Sequence, residues 1–196
     1  MDKPILDWVN LPSGVEPTSL WAGLHDAHLI DIRSDLLART LEIDYRIQHI
    51  NHFHHWDDDT VVTFTHSSVS SVRCLSNTIW PGSCDIPAGL PASEKRRIVQ
   101  EYQAKWRQYS VDWLQLEQSL HAGKYEIGVS DGALVRNDNV AMRIEGFHNK
   151  DDMYHELYIY AETVDIRIGH DRSVTMEEFL GYGQAYWDAF ENEIVE

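Results

Sequence analysis

Four of the chain's eleven histidines fall within seven residues, His49-x-x-His52-x-His54-His55, and Asp57-Asp58-Asp59 follows directly. Neutral imidazole and carboxylate are competent ligands for zinc, nickel or iron. The stretch therefore offers a metal site built on His49, His52, His54 and His55. On an extended segment His52 and His54 point the same way and could chelate together. Their spacing matches no established ligand motif such as HExxH on a helix. The competing account is a solvent-exposed loop between two strands, with His52 or His55 capping backbone groups.

His25-Asp26-Ala27-His28 is the second candidate. Imidazole beside carboxylate invites acid–base chemistry. Neighbouring residues of a strand project to opposite faces, however, so the pair does not readily act as a dyad. Asp26 serves more cheaply as a turn or cap acceptor. There is no phosphate-cradling glycine loop and no cysteine in a catalytic signature. Asp151-Asp152 and Glu177-Glu178 are accounted for by loop solvation and helix capping. The sequence assigns no catalytic residue and no cofactor beyond the metal reading.

The charge balance narrows the classes further. Sixteen basic against thirty-two acidic residues give a formal charge of −16. Such a surface repels nucleic-acid phosphates, and Lys95-Arg96-Arg97 is too short a basic run to reverse that. Long-range attraction would instead steer in a basic partner. No apolar run approaches the ~20 residues of a membrane helix, and the N-terminus has no basic lead or apolar core of a secretory signal. Cys74 and Cys84 show no metal-ribbon spacing. Two thiols fit a reducing compartment, with a single disulfide as the alternative. The expectation is a cytoplasmic protein.

The elements that must position these residues read as one domain over 1–196. Residues 1–23, rich in proline, form an irregular arm whose aromatics pack on the sheet. A β-meander occupies 24–76. Within it Leu41, Ile43, Tyr45 and Ile47 share one face and Glu42, Asp44, Arg46 and Gln48 the other, the period of a half-buried strand. Thr60 to Thr65 start a third strand, which Val69, Val72, Cys74 and Leu75 carry onward across a kink. Thr78 to Pro91 is a loop by its prolines and glycines.

Over 93–122 Ile98, Tyr102, Trp106, Tyr109, Trp113, Leu116 and Leu120 recur at helical steps. A single helix there would run about 42 Å at ~1.5 Å per residue, so a break near Tyr109-Ser110 is expected. Strands return over 125–169, with a hairpin turn at Arg136-Asn-Asp-Asn139 and a bulge or tight turn near Glu162-Thr163, where the apolar phase flips. The helix over 175–194 opens on a capping box, Thr175 with Glu178, and a staple, Val174 with Phe179. Its apolar face is Phe179, Tyr186, Trp187 and Phe190.

From Ser19-Leu-Trp-Ala-Gly-Leu-His-Asp-Ala27 onward the chain resembles a group of uncharacterised bacterial proteins, some similar to immunity proteins of toxin systems. The shared features are the Leu-His-Asp-Ala opening and the Leu-x-Ile-x-Tyr second strand. Glu162-Thr-Val-Asp-Ile-Arg-Ile, Thr-Met-Glu-Glu-Phe-Leu and Ala-Tyr-Trp-Asp-Ala-Phe near the other end are further features. The resemblance covers the two ends and carries no catalytic residue.

The expected fold is α+β. It has a mainly antiparallel, bent or layered sheet of about seven to nine strands, one long helix with a break, and a C-terminal helix. The expected function is non-catalytic: an acidic interaction protein, an immunity-type binder of a basic protein partner. The alternative is a metal-dependent enzyme or metal-binding protein using the His49–His55 stretch.

Overall fold

The computed structural model describes residues 8, 11, 13–77, 89–105, 108–110, 112–137, 139–148 and 153–195. In chain order the elements begin β1 (Thr18–Ser19), α1 (Trp21–Leu24), β2 (His28–Asp35), β3 (Thr40–Arg46), α2 (Gln48–Phe53), β4 (Val61–Ser67) and β5 (Ser71–Asn77). They continue α3 (Ala92–Lys105), β6 (Gln108–Ser110), α4 (Trp113–His121), β7 (Ile127–Arg136), β8 (Val140–His148), β9 (Met153–Ala161), β10 (Thr163–Ile168), β11 (Arg172–Val174) and α5 (Met176–Val195). The fold is α+β, and every strand pair is antiparallel.

Alternation of apolar and polar residues builds the sheet. Leu41, Ile43 and Tyr45 of β3 are fully buried. They stand opposite His66, Phe64 and Val62 of β4, which in turn face Val164, Ile166 and Ile168 of β10. Tyr45 and Phe64 meet edge to face at 5.2 Å, an arrangement aromatic quadrupoles favour.

The sheet closes on itself. Its order is β11-β10-β4-β3-β2-β7-β8-β9-β5-β6, with β1 added to β7. Strands β9 and β10 are separated only by Glu162, and β4 and β5 only by residues 68–70. Each couple is one long run bent at a corner, and the two runs pair along both halves, Ser67 with Thr163 and Ser71 with Tyr160. Backbone bonds from Glu162 to Ser67 (3.0 Å) and Ser70 to Tyr160 (2.8 Å) bridge the corner. A ring of six strand runs results, with one continuous apolar core spanning its strands.

The ring is weakest between β2 and β7, which pair only at His28–Gly128 and Leu29–Ile127. Beyond that point each strand carries a bulge, at Ile30 and at Ser130. In both, the following aspartate accepts the next backbone N–H: Asp31 from Ile32 (2.9 Å) and Asp131 from Gly132 (2.7 Å). Bulges of this kind turn a strand away from its neighbour. Helix α4 closes over β2, burying Leu116 and Leu120. The Glu117 carboxylate accepts from the Ser34 backbone N–H (2.6 Å) and hydroxyl (2.8 Å).

The segment over 93–122 differs from the expected long helix. It is two helices, α3 and α4, with β6 between them pairing β5. Asp112 starts the second by accepting from the Gln115 N–H (3.1 Å), and Gly123, at φ +63, ends it. β5 carries β4 onward across the kink at 68–70, as expected, and beyond it pairs β9. The strand count exceeds the expectation because β1, β6 and β11 are two or three residues long, too short to show a period. Outside the described residues fall most of the arm over 1–12, the loop over 78–88 with Cys84, the Asp151-Asp152 pair, and the side chains of Tyr102, Trp106 and Tyr109.

Candidate functional site

The histidine-rich stretch is not an extended loop. Residues 48–53 form α2, His54 ends it, and His55 takes a left-handed conformation at φ +56. Helical geometry does not set His52 and His54 on one face, as a strand would have. His49 packs at a tilt against Tyr186 (4.7 Å) and Trp187 (5.6 Å) of α5. His54 packs at 5.1 Å on both Trp56 and Tyr182, and its Nε2 donates to the Tyr182 carbonyl (3.0 Å). His52 and His55 are exposed. Among the described residues no group of three or more His, Cys, Asp or Glu side chains is placed to hold a metal ion.

The helices gather a surface of rings and imidazoles instead. Trp21 of α1 stacks on His25 and meets Trp187 of α5, both at 4.8 Å. Phe53 of α2 and Phe190 of α5 reach Tyr186 at 5.8 and 6.0 Å. Most such stripes are core, yet here Trp21, Phe53 and Phe190 remain 39%, 38% and 41% exposed. Phe190 was expected against the core and lies on this surface. Arg172, just before α5, lays its guanidinium 4.8 Å from the Tyr182 ring and 5.7 Å from Trp56.

Glycine lets α1 and α5 come this close. A β-carbon on Gly183 would overlap the backbone at Ala22, and one on Gly23 would overlap the Phe179 ring. The capping box expected at Thr175 aims the helix: Glu178 accepts from the Thr175 N–H (2.7 Å), and the Thr175 hydroxyl accepts from the Glu178 N–H (3.1 Å). The Thr175 backbone N–H on its carboxylate holds Glu178 below the usual range.

His25 and Asp26 close one side of the surface. His25 ends α1, and its Nδ1 donates to the Ser130 carbonyl (2.9 Å). Its Nε2 lies 3.7 Å from an oxygen of Asp26, which sits in a left-handed turn at φ +59. The neighbours are thus brought together by a turn rather than separated on a strand. Burial lowers the affinity of His49 for a proton, opposed by the Asp26 charge and reinforced by His25. Beside Trp21 an open cleft of about 370 Å³ runs between Ser19, Trp21 and Ala22 on one wall and Leu180, Gly181 and Gln184 on the other. Gln184 donates to Asp188 at 2.7 Å, fixing a carboxylate by the cleft.

Two polar groups escaped the sequence reading because their members are far apart in the chain. Ser76 and Tyr125 bracket the His155 ring, each hydroxyl 2.6 Å from a ring nitrogen. With one nitrogen protonated, one hydroxyl accepts and the other donates. Ser76 is 2% exposed, so this chain ties β5 to β9 without offering a nucleophile to a substrate. On the opposite sheet face, Glu145 and Glu156 stand on facing positions of β8 and β9. Tyr154 donates to Glu145, Arg143 pairs with it at 2.8 Å, and Tyr158 donates to Glu156 at 3.0 Å. Burial first, and then the Glu145 charge, push the Glu156 carboxyl up.

No protein-family model matches this chain, and neither a curated protein nor a solved structure does.

Proposed function

We propose that this chain works by association: an acidic, non-catalytic interaction protein, an immunity-type binder of a basic protein partner in the cytoplasm. One observation carries the reading. Several arginines are engaged within the fold while many of the acids, Asp57, Asp58, Asp59, Glu177 and Asp188 among them, face solvent. Arg33 binds Asp31, Asp44 and Glu42, Arg46 binds Glu126, Arg97 binds Glu94, and Arg143 binds Glu145. Arg39 donates to the backbone carbonyls of Val69 and Ser68. The uncompensated charge of the other acids gives a negative field that attracts cationic proteins and repels nucleic acid. The absence of any described helix long and apolar enough to cross a membrane is compatible with this setting.

The test measures association of this chain with the products of the neighbouring genes. Association should be rapid at low salt, with an on-rate that falls steeply as screening shortens the field. An on-rate indifferent to salt, or no association, would overturn the reading.

A second reading makes His49, His52, His54 and His55 ligands of a transition metal in a metal-dependent enzyme or metal-binding protein. Its support is that His49 and His52 stand one turn apart on α2, and His49 Nε2 has no hydrogen-bond partner among the described residues. Elemental analysis of untagged protein decides it. One tightly held metal per chain, lost in a His49→Ala/His52→Ala variant, would displace the binder.

A further inference from the structure

The surface built by α1, α2 and α5 has a composition unlike the rest of the molecule. Residues 21–26, 48–59 and 176–196 together hold ten carboxylates and no lysine or arginine. The same segments supply the exposed rings of Trp21, Phe53 and Phe190. Exposed aromatic faces within a negative field are suited to a planar cation. Arginine is more weakly hydrated than lysine and stacks flat on rings while forking to carboxylates. The molecule already makes this contact, with the Arg172 guanidinium over Tyr182 and Trp56 and that of Arg143 over Trp8.

The cleft beside Trp21 repeats the ingredients with no cation among the described residues of its lining. Its walls are apolar at Trp21, Ala22 and Leu180, open at Gly181, and polar at Ser19 and Gln184, with Asp188 held by Gln184. A β-carbon on Gly181 would meet nothing within 4 Å, so that wall is free space. We infer that the cleft and its neighbouring exposed rings dock an arginine-rich segment of a basic protein. One arginine stem lies against Trp21, with its guanidinium directed to Asp188. This rests on the binding reading above and locates it.

The test is the affinity of nona-arginine for the full chain at 150 mM salt, followed by calorimetry. Gly181→Leu fills the cleft and Asp188→Asn removes its carboxylate; both sites are exposed, and the melting temperature verifies the fold. Each variant should bind at least ten-fold more weakly. A control neutralising exposed acids elsewhere, Glu16→Gln/Glu162→Gln/Asp165→Asn, should stay within about three-fold. Nona-lysine should bind several-fold more weakly than nona-arginine.

No binding by the wild-type chain would remove the cationic-partner reading and this site with it. Binding that the control weakens as much as Asp188→Asn, or that survives Gly181→Leu, would leave an acidic binder and overturn the cleft. A wild-type dimer in sedimentation that Gly181→Leu dissolves would make the occupant a second copy and also overturn the assignment.

Discussion

The carbonyl oxygen of Ala22 accepts a hydrogen bond from Trp187 Nε1 at 3.1 Å, across the point where Gly183 lets α5 touch α1. That bond joins residues 165 positions apart and sets the angle at which Trp187 presents itself to Trp21 and His49. The contact has no room for a methyl group. Gly183→Ala forces the backbones apart and should cost about 1–3 kcal/mol, the usual range for overpacking. Gly181→Ala, two residues earlier on the open side, should instead stabilise by about 0.5–1 kcal/mol through helix propensity. Urea denaturation of both variants checks the pair. Equal effects would mean that the helix crossing is looser than described.

His66 is fully buried, with neither ring nitrogen bonded among the described residues, and burial lowers its pKa from 6.5 to about 4. As pH falls below 6.5 the unfolded chain takes up a proton that the native chain refuses. Stability contributed by this site is thus complete above pH 6.5 and lost as pH falls toward 4. Between pH 7 and pH 5 the loss should be about 2 kcal/mol at ~1.4 kcal/mol per unit. His66→Leu should flatten that slope. The same slope in wild type and variant would assign the proton to another group.

Ile43 is fully buried on β3, paired with Phe64 on one side and Ile32 on the other. Ile43→Ala should cost about 2–5 kcal/mol as a core cavity, read from denaturation midpoints. A loss under about 0.5 kcal/mol, the ordinary surface value, would contradict the register.

Thr175→Ala removes one half of the capping box and should cost about 1 kcal/mol. Glu178→Gln keeps a reach-back acceptor without the charge and should cost less. Thermal melts of the two variants would expose a reversed order.

The parts of the fold legible in the sequence are those held by neighbours in the chain. β3 shows its faces because Leu41, Ile43 and Tyr45 alternate with residues that meet water. The cap of α5 is legible because Thr175 and Glu178 lie three apart. The turn between β7 and β8 is marked by Arg136 to Asn139, and the structure closes it with a bond from Asn137 to Asn139 (3.0 Å).

What stayed hidden depends on distant partners. The phase flip at Glu162 was visible, but its cause was not: there one bent run leaves β8 and β5 to join β4. A strand of three residues, such as β6, carries no period at all. The histidine stretch misled because His49 and Phe53 fit a helix only once Tyr186 and Trp187 are known to pack on them. The aromatic surface likewise draws Trp21, Phe53 and Trp187 from three distant segments.

The bent runs also govern how the chain can reach this shape. The ring joins His28 to Gly128 and Ser71 to Tyr160, pairings whose loop-closure entropy is large and repaid only on completion. During synthesis β4 and β5 emerge long before β9 and β10, the run that must lie beside both. Until it arrives, Phe64, His66 and Cys74 belong to a half-built sheet with an unpaired flank. Folding dominated by such long-range pairings is slow. The −16 charge then has a use before any partner is met: mutual repulsion keeps incomplete copies from pairing with one another.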